Sequence, residues 1–244
     1  MPNPKAAMLV IGDEILSGRT KDVNVGHLAE ELTKNAIDLA EVRMVPDIHE
    51  EIVAAVQALS GRYDYVFTSG GIGPTHDDIT ADAVAAAFDD PIDVRADARA
   101  LLEKHYTRNG VEINEARLRM ARIPASAELI DNPVSIAPGF RLKNVHVMAG
   151  VPAVFRAMVE TVIPSLTGGD PVLSQAVRVN RPEGDIAEPL GRVARDFPDV
   201  SVGSYPYIKD GQFGANLVVR STDPSRLDAA IKAIKAAFPE AFDL

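Results

Sequence analysis

A glycine-rich stretch with two adjacent acids is the part of the sequence best suited to chemistry. It reads TSGGIGPTHDDIT over residues 68–80, between an apolar run and an alanine-rich run. Glycines let backbone N–H groups approach a phosphate closely, and hydroxyl groups add further donors. The pattern predicts an anion-binding loop between a strand and a helix, with these donors: Ser69, Gly70, Gly71, Gly73 and Thr75.

The glycine pattern alone leaves two interpretations open. The stretch has no lysine, so it is not a P-loop, and it lacks the third glycine of a dinucleotide-binding fingerprint. The alternative to an anion site is a plain strand-to-helix turn, in which Thr75 caps the helix and Asp78 occupies its third position.

The neighbouring acids favour a ligand site that includes a cation. Asp77 and Asp78 would repel a bound phosphate unless a divalent ion lay between them, since hard cations take carboxylate and phosphate oxygens together. Asp13 and Glu14 follow the first predicted strand in GDEILSG, residues 12–18, and add two more acids.

The elements around these loops predict an α/β fold. Strand and helix patterns alternate three times, with apolar strands at 6–12, 38–46 and 63–71. Such an order favours a parallel sheet covered by helices on both faces, with ligands outside the carboxyl ends of the strands. We therefore expect the two acid-bearing loops to lie at one edge of one sheet. Asn24 is predicted to cap the first long helix, and residues 114–124 are predicted to be helical.

A small second domain is predicted after a break at residues 167–171. The first domain is expected to span residues 1–168, and the second, residues 171–244, has a βαββα pattern typical of an α+β fold. Asp210-Gly211 predicts a hairpin turn, because both residues readily adopt positive φ.

Composition excludes several classes of function. The chain has 244 residues, no cysteine and a formal net charge of −10. Cysteine nucleophiles, thiolate zinc sites and disulfide frameworks are therefore excluded. The acidity disfavours nucleic acid and membrane surfaces as partners, and no run reaches the roughly 20 apolar residues of a membrane span. We expect a cytoplasmic protein.

Four sequence blocks resemble one known family in order and content. GDEILSG, TSGGIGPTHDDIT, NPVSIAPGF and AGVPAVF resemble the N-terminal domain of CinA-type competence/damage-inducible proteins. That domain belongs to the molybdopterin-binding (MoaB/Mog-like) superfamily. The last 75 or so residues resemble the small domain that follows in the same proteins. Larger members of that family continue into a nicotinamide-nucleotide amidase domain, and deamidation of nicotinamide mononucleotide is not expected here.

The resemblance implies a three-layer α/β/α sandwich with a mostly parallel sheet, a nucleotide- or pterin-phosphate ligand and a homodimer. It implies divalent-metal-dependent hydrolysis of a nucleotide pyrophosphate such as ADP-ribose, with Mg²⁺ or a similar ion. Non-catalytic binding of a nucleotide or molybdopterin is one alternative, and molybdopterin adenylyl transfer is another, ranked lower because GPTHDDIT resembles the CinA branch.

The same resemblance assigns roles to residues. Asp78 and Asp13 are the expected metal ligands, and Asp78, Asp77 and Asp13 are the expected catalytic acids. The expected ligand-binding residues are Gly12, Glu14, Ser69, Gly70, Gly71, Gly73, Thr75 and Asn132. Two positions depart from the family pattern: Ser135 replaces a glycine, and Val154 replaces an acid.

Overall fold

A computed structural model describes residues 3–209 and 211–244. The chain divides into two compact units, the first ending at Gly169 and the second beginning at Asp170. Among the helices of the described residues, none combines the length and the apolar character that a membrane crossing requires.

The first unit alternates strands and helices over its first half and then adds short strands. Its strands are β1 (Lys5–Ile11), β2 (Asp38–Val45), β3 (Tyr65–Ser69), β4 (Ile92–Val94), β5 (Arg122–Pro124), β6 (Glu128–Ile130), β7 (Gly139–Leu142) and β8 (Val145–Met148). Its helices are α1 (Asp13–Leu16), α2 (Asn24–Lys34), α3 (His49–Ser60), α4 (Thr80–Ala87), α5 (Ala96–Arg108), α6 (Glu115–Arg119) and α7 (Pro152–Val162), the last followed by a 3-10 turn, Ile163–Ser165.

A six-stranded sheet in the order β2-β1-β3-β8-β7-β6 forms the centre of this unit. The first four of these strands run parallel to one another, and β7 and β6 join as antiparallel strands. Because β1, β3 and β8 are direct neighbours, the loops after Ile11, Ser69 and Met148 leave the sheet side by side. The predicted placement of the two acid-bearing loops is confirmed.

Both faces of the sheet are covered, as a three-layer sandwich requires. In β1, Ala7, Leu9 and Ile11 belong to the core on the side of α3 and α4. Their alternate neighbours, including Met8 and Val10, belong to the core on the side of α2 and α7. A strand buried on both faces needs apolar residues at successive positions, which explains the continuous apolar run in β1. The predicted fold class is confirmed.

The second unit is a four-stranded antiparallel sheet with two helices. Its elements are β9 (Leu173–Val179), α8 (Glu183–Asp196), β10 (Ser201–Lys209), β11 (Gln212–Ser221), α9 (Pro224–Ala237) and β12 (Phe242–Asp243). The strand order is β10-β11-β9-β12. Strands β10 and β11 pair antiparallel, and Asp210, in the predicted hairpin turn, lies outside the described residues.

Two local predictions are wrong. Asn24 is the first residue of α2 rather than its cap, and the Asp22 carboxylate instead accepts the N–H of Val25 at 2.9 Å. Residues 114–124 do not form one helix: α6 ends at Arg119, and β5 pairs with β4. In the first case a side chain three residues away takes the capping role, and in the second the backbone of β5 pairs with that of β4.

Candidate functional site

A cleft of about 560 Å³ opens where β1, β3 and β8 end. Eight of the predicted site residues line it: Gly12, Glu14, Gly70, Gly71, Gly73, Asp77, Asp78 and Asn132. Three predicted residues are not part of its lining: Asp13, Ser69 and Thr75. Loops that lie far apart in the sequence, from Gly12 to Gly150, therefore meet in one concave site of a size that suits a small ligand.

Two positions of the loop require glycine, because neighbouring atoms lie too close to the backbone for any side chain. Gly70 has φ 111°, and a Cβ added to it would lie 2.2 Å from the carbonyl oxygen of Ile11. Gly71 has φ 68°, and its added Cβ would lie 2.1 Å from Oγ1 of Thr80. Only glycine fits such positions, because an L side chain is both strained and obstructed there. The loop is thus packed tightly onto the ends of β1 and α4.

Thr80, the first residue of α4, is hydrogen-bonded to the glycines of this loop. Its hydroxyl donates to the carbonyl of Gly70 at 3.0 Å, and its backbone N–H donates to the carbonyl of Gly71 at 2.9 Å. Thr80 is fully buried. The sequence gives no sign of this role, because a threonine that begins a helix is common.

Asp78 closes the loop on itself. Its Oδ2 accepts the backbone N–H of Thr75 at 2.8 Å and the hydroxyl of Thr75 at 2.5 Å. Helix α4 begins at Thr80, so Thr75 does not cap it. The interpretation of Thr75 and Asp78 as a helix cap is therefore wrong, and the pair forms a turn inside the loop.

Ser69 is a buried support rather than an exposed donor. It is 3% exposed, and its hydroxyl accepts a hydrogen bond from the side-chain amide of Asn24 at 2.8 Å. The same amide donates to the carbonyl of Gly150 at 2.8 Å. Asn24 thus joins the first turn of α2 to the ends of β3 and β8. Its own Oδ1 is buried without a hydrogen-bond partner.

Asp47, at the end of β2, is an acid of the cleft that the sequence patterns do not reveal. Burial raises the pKa of its carboxyl group, and the nearby carboxylates of Asp13, Glu14 and Asp77 raise it further. The backbone N–H of Asp13 donates to Asp47 Oδ2 at 2.9 Å, and this hydrogen bond lowers the pKa of Asp47. Among the described residues that line the cleft there is no lysine or arginine.

The donor set suits a hydrated cation held partly by its ligand. Within residues 3–209 and 211–244, no three His, Asp or Glu side chains are grouped closely enough to cage a metal ion. Magnesium sites commonly use one or two carboxylates with substrate phosphates and waters completing the shell. The exposed Asp13 and Asp77 and the half-buried Asp78 have the required oxygen chemistry.

Asn132 organises its own loop. Its side-chain amide donates to Ser135 Oγ at 2.6 Å and to the carbonyl of Ala137 at 2.7 Å. Its oxygen accepts the N–H groups of Val134 and Ser135. Asn132 is 1% exposed. Although it lines the cleft, its polar atoms serve the loop, and Ser135, at the family's glycine position, takes part in the same network.

Val154 is an apolar part of the cleft wall. It is 6% exposed and belongs to the core on the side of α2 and α7, while it also borders the cleft. The position where the resembled family carries an acid is therefore unable to bind a cation or a water proton.

Comparison with known proteins finds a matching family for each unit. Residues 7–168 match the family described as "Probable molybdopterin binding domain". Residues 171–242 match the family described as "FAD synthase, middle domain". The second match differs from the expected attribution of these residues to the small domain of CinA-type proteins.

Three relatives illustrate the range of similar proteins. A protein of Archaeoglobus fulgidus is 34% identical over 199 residues, covering 82% of this chain and 84% of the relative. A "Probable FAD synthase" of Caenorhabditis elegans is 31% identical and covers 96% of this chain but 50% of its own length. The solved structure of CinA from Thermoplasma acidophilum, described as of unknown function, is 31% identical with a TM-score of 0.62, covering 66% of this chain and 97% of that one.

Proposed function

This chain belongs to the family of molybdopterin-binding-like domains, and from that premise we propose that it binds a nucleotide or pterin phosphate and hydrolyses a nucleotide pyrophosphate such as ADP-ribose with a divalent cation. The observation that carries the proposal is the cleft itself. A tightly packed glycine loop and the acids Glu14, Asp47, Asp77 and Asp78 border one cavity that has no lysine or arginine in its described lining. A phosphate enters such a cavity favourably only together with a cation.

The proposed reaction is attack of water on one phosphorus of the pyrophosphate. The bond between that phosphorus and the bridging oxygen breaks, a cleft carboxylate accepts the proton of the water, and the bridging oxygen leaves with the second phosphate. ADP-ribose would give AMP and ribose 5-phosphate. A divalent cation would be held by the cleft carboxylate of Asp78 or Asp77, with the phosphates and water as its other ligands, and would neutralise charge on the phosphates. Asp13, the second expected ligand, is not part of the cleft lining.

The protein's own contribution is positioning. The backbone around Gly70 and Gly71 is fixed by Thr80, and the turn at Thr75 is fixed by Asp78. The N–H of Gly70 donates to the carbonyl of Met148 at 3.2 Å, so this residue contributes the shape of the loop. A shape fixed before the ligand arrives costs no reorganisation during reaction.

The name of the FAD synthase relative widens the choice of substrate within the same class. FAD is itself a pyrophosphate that joins AMP to a second nucleotide-like half. The chain spans 50% of that relative's length, so synthase activity is not proposed for it. FAD belongs beside ADP-ribose in the test as a substrate for hydrolysis.

Binding without hydrolysis is the second candidate, and Val154 favours it. The side chain at this position is apolar and buried, so a site that needed an acid there to hold the metal or to activate water would bind its ligand without turning it over.

The experiment separates these candidates. The protein is incubated with ADP-ribose or FAD and Mg²⁺ or Mn²⁺, and AMP is followed by chromatography, with EDTA as the metal-free control. Metal-dependent release of AMP supports the hydrolase. Metal-dependent binding of the same ligands without AMP supports the binding module. Retention of molybdopterin with no binding of ADP-ribose or FAD would overturn the hydrolase and would identify the ligand of the binding module as a pterin phosphate.

A further inference from the structure

A second pocket of about 430 Å³ lies on the other side of Pro74 from the cleft. Its lining combines four apolar residues with a histidine, a carboxylate and two guanidinium groups: Pro74, Val94, Ala116 and Leu118, then His76, Glu115, Arg119 and Arg122. This Arg119 pocket lies entirely within the first unit, and none of the expected site residues lines it.

The Arg119 pocket adjoins the candidate phosphate site. Pro74 lines both the pocket and the cleft. A cavity of about 10 Å³, room for about one water molecule, separates the glycine loop from the arginines and is lined by Gly71, Gly73, Asp78, Arg119 and Arg122 among others. A ligand with its phosphates at the glycine loop can therefore extend past Pro74.

Arg119 and Arg122 have different partners. Arg122 pairs with Asp82. The Nε and Nη2 atoms of Arg119 donate to the backbone carbonyl of Asp78 at 3.3 and 3.4 Å, and no carboxylate in the described part of the chain forms an ion pair with it. One edge of this guanidinium is thus anchored to the glycine loop, and its positive charge is one of the causes that lower the pKa of the Asp77 carboxyl group.

We propose that the Arg119 pocket binds the nucleobase of a nucleotide whose phosphates occupy the glycine loop. This inference rests on the proposed function and narrows its ligand to one that carries a flat ring. An apolar floor beside an anchored guanidinium suits a heteroaromatic ring, which stacks on guanidinium planes and on apolar side chains. The volume lies within the range of about 300–1,000 Å³ found for small-ligand sites.

The test contrasts two pyrophosphates, of which only one carries a base. ADP and inorganic pyrophosphate are titrated by calorimetry with Mg²⁺ into the wild type, Ala116→Trp and Ala100→Trp. Ala116 and Ala100 are both exposed helix residues of the first unit, and only Ala116 lines the pocket. We expect the wild type to bind ADP at least about tenfold more tightly than pyrophosphate, the size expected for one stacked base.

Filling the pocket should remove the preference for ADP over pyrophosphate and leave the binding of the phosphates intact. We expect Ala116→Trp to weaken ADP binding by about tenfold or more and to leave pyrophosphate binding unchanged, while Ala100→Trp changes neither. If Ala116→Trp does not fold, Ala116→Leu provides the same contrast, because it fills part of the pocket with a smaller side chain that suits a helix.

The outcomes separate this inference from the proposed function. Equal affinity of the wild type for ADP and pyrophosphate, or full ADP affinity in the pocket-filled variant, overturns the nucleobase pocket and leaves the phosphate site standing. Absence of binding to both ligands in the presence of Mg²⁺ overturns the proposed function, and the pocket proposal with it.

Discussion

The carboxylate of Asp78 accepts both the backbone N–H and the hydroxyl of Thr75, at 2.8 and 2.5 Å. The acid that the sequence marks as a metal ligand is therefore also the residue that closes the glycine loop. Its Oδ2 serves the turn, and Arg119 donates to its backbone carbonyl. Loop shape and ligand chemistry thus depend on one side chain.

Replacing Asp78 with alanine should abolish turnover and weaken Mg²⁺-ADP binding by at least about tenfold, since a hydrogen bond to a charged group contributes about 1.5–3 kcal/mol. Calorimetry and AMP release measure the two effects. Asp22→Ala is the matched control, because Asp22 also accepts a backbone N–H, from Val25, and lies outside the lining of the cleft. Unchanged activity in Asp78→Ala would contradict the role given to this acid.

Gly71 and Gly18 allow the packing of the loop to be tested apart from backbone strain. Their φ angles are 68° and 73°, but an added Cβ meets Oγ1 of Thr80 at 2.1 Å in the first case and nothing within 4 Å in the second. We expect Gly18→Ala to cost about 1 kcal/mol in the free energy of unfolding. Gly71→Ala should cost clearly more and should also lose ligand binding. Equal losses in urea unfolding would refute the tight packing.

Asp47 should destabilise the metal-free protein. Its folded-state pKa is raised, chiefly by burial and then by Asp13, Glu14 and Asp77, so the charged form is disfavoured in the native state, and the stability of the protein increases as pH falls through that pKa. Asp47→Asn should therefore raise the melting temperature at pH 7 in EDTA and flatten the acid side of the profile. Asp64→Asn is the control, because Asp64 accepts the N–H of Lys5 at 2.7 Å outside the cleft. A lower melting temperature in Asp47→Asn would contradict this account.

His146 should make the first unit sensitive to acid. It is 3% exposed and stacked on Phe67 with ring centroids 5.1 Å apart, and burial lowers its pKa to about 4. Below its unfolded pKa of about 6.5 the unfolded chain binds a proton that the native state does not, so stability is lost as pH falls from about 6.5 to about 4. The loss is about 3 kcal/mol.

Substitution of His146 by phenylalanine should remove this pH dependence, because the ring is kept and the titration is not. Urea unfolding midpoints between pH 4 and pH 7 measure it. A variant that keeps the full dependence of the wild type would assign the effect to other groups.

The features that the sequence predicts have local signatures, whereas the features that it does not predict depend on tertiary contacts. The run that forms β1 and the glycine loop after β3 have local signatures, and their meeting follows from the rules for parallel sheets. Asn24, Asp47 and Arg119 have none. Each matters because of a partner far along the chain: Asn24 reaches Ser69 and Gly150, Asp47 reaches Asp13, and Arg119 reaches Asp78. Ile136, a β-branched residue at φ 66°, is a further case, since no local pattern predicts it.

The buried amide of Asn24 also has a consequence for the order of folding. Its bond to Ser69 spans 45 residues and its bond to Gly150 spans 126. Contacts so distant along the chain form only after the intervening loops have closed, which is the slow part of assembling a parallel sheet. A growing or partly folded chain therefore lacks a finished site, and ligand binding would report that β1, β3 and β8 are already assembled. Added ligand should then stabilise the completed first unit alone, since it binds no earlier state.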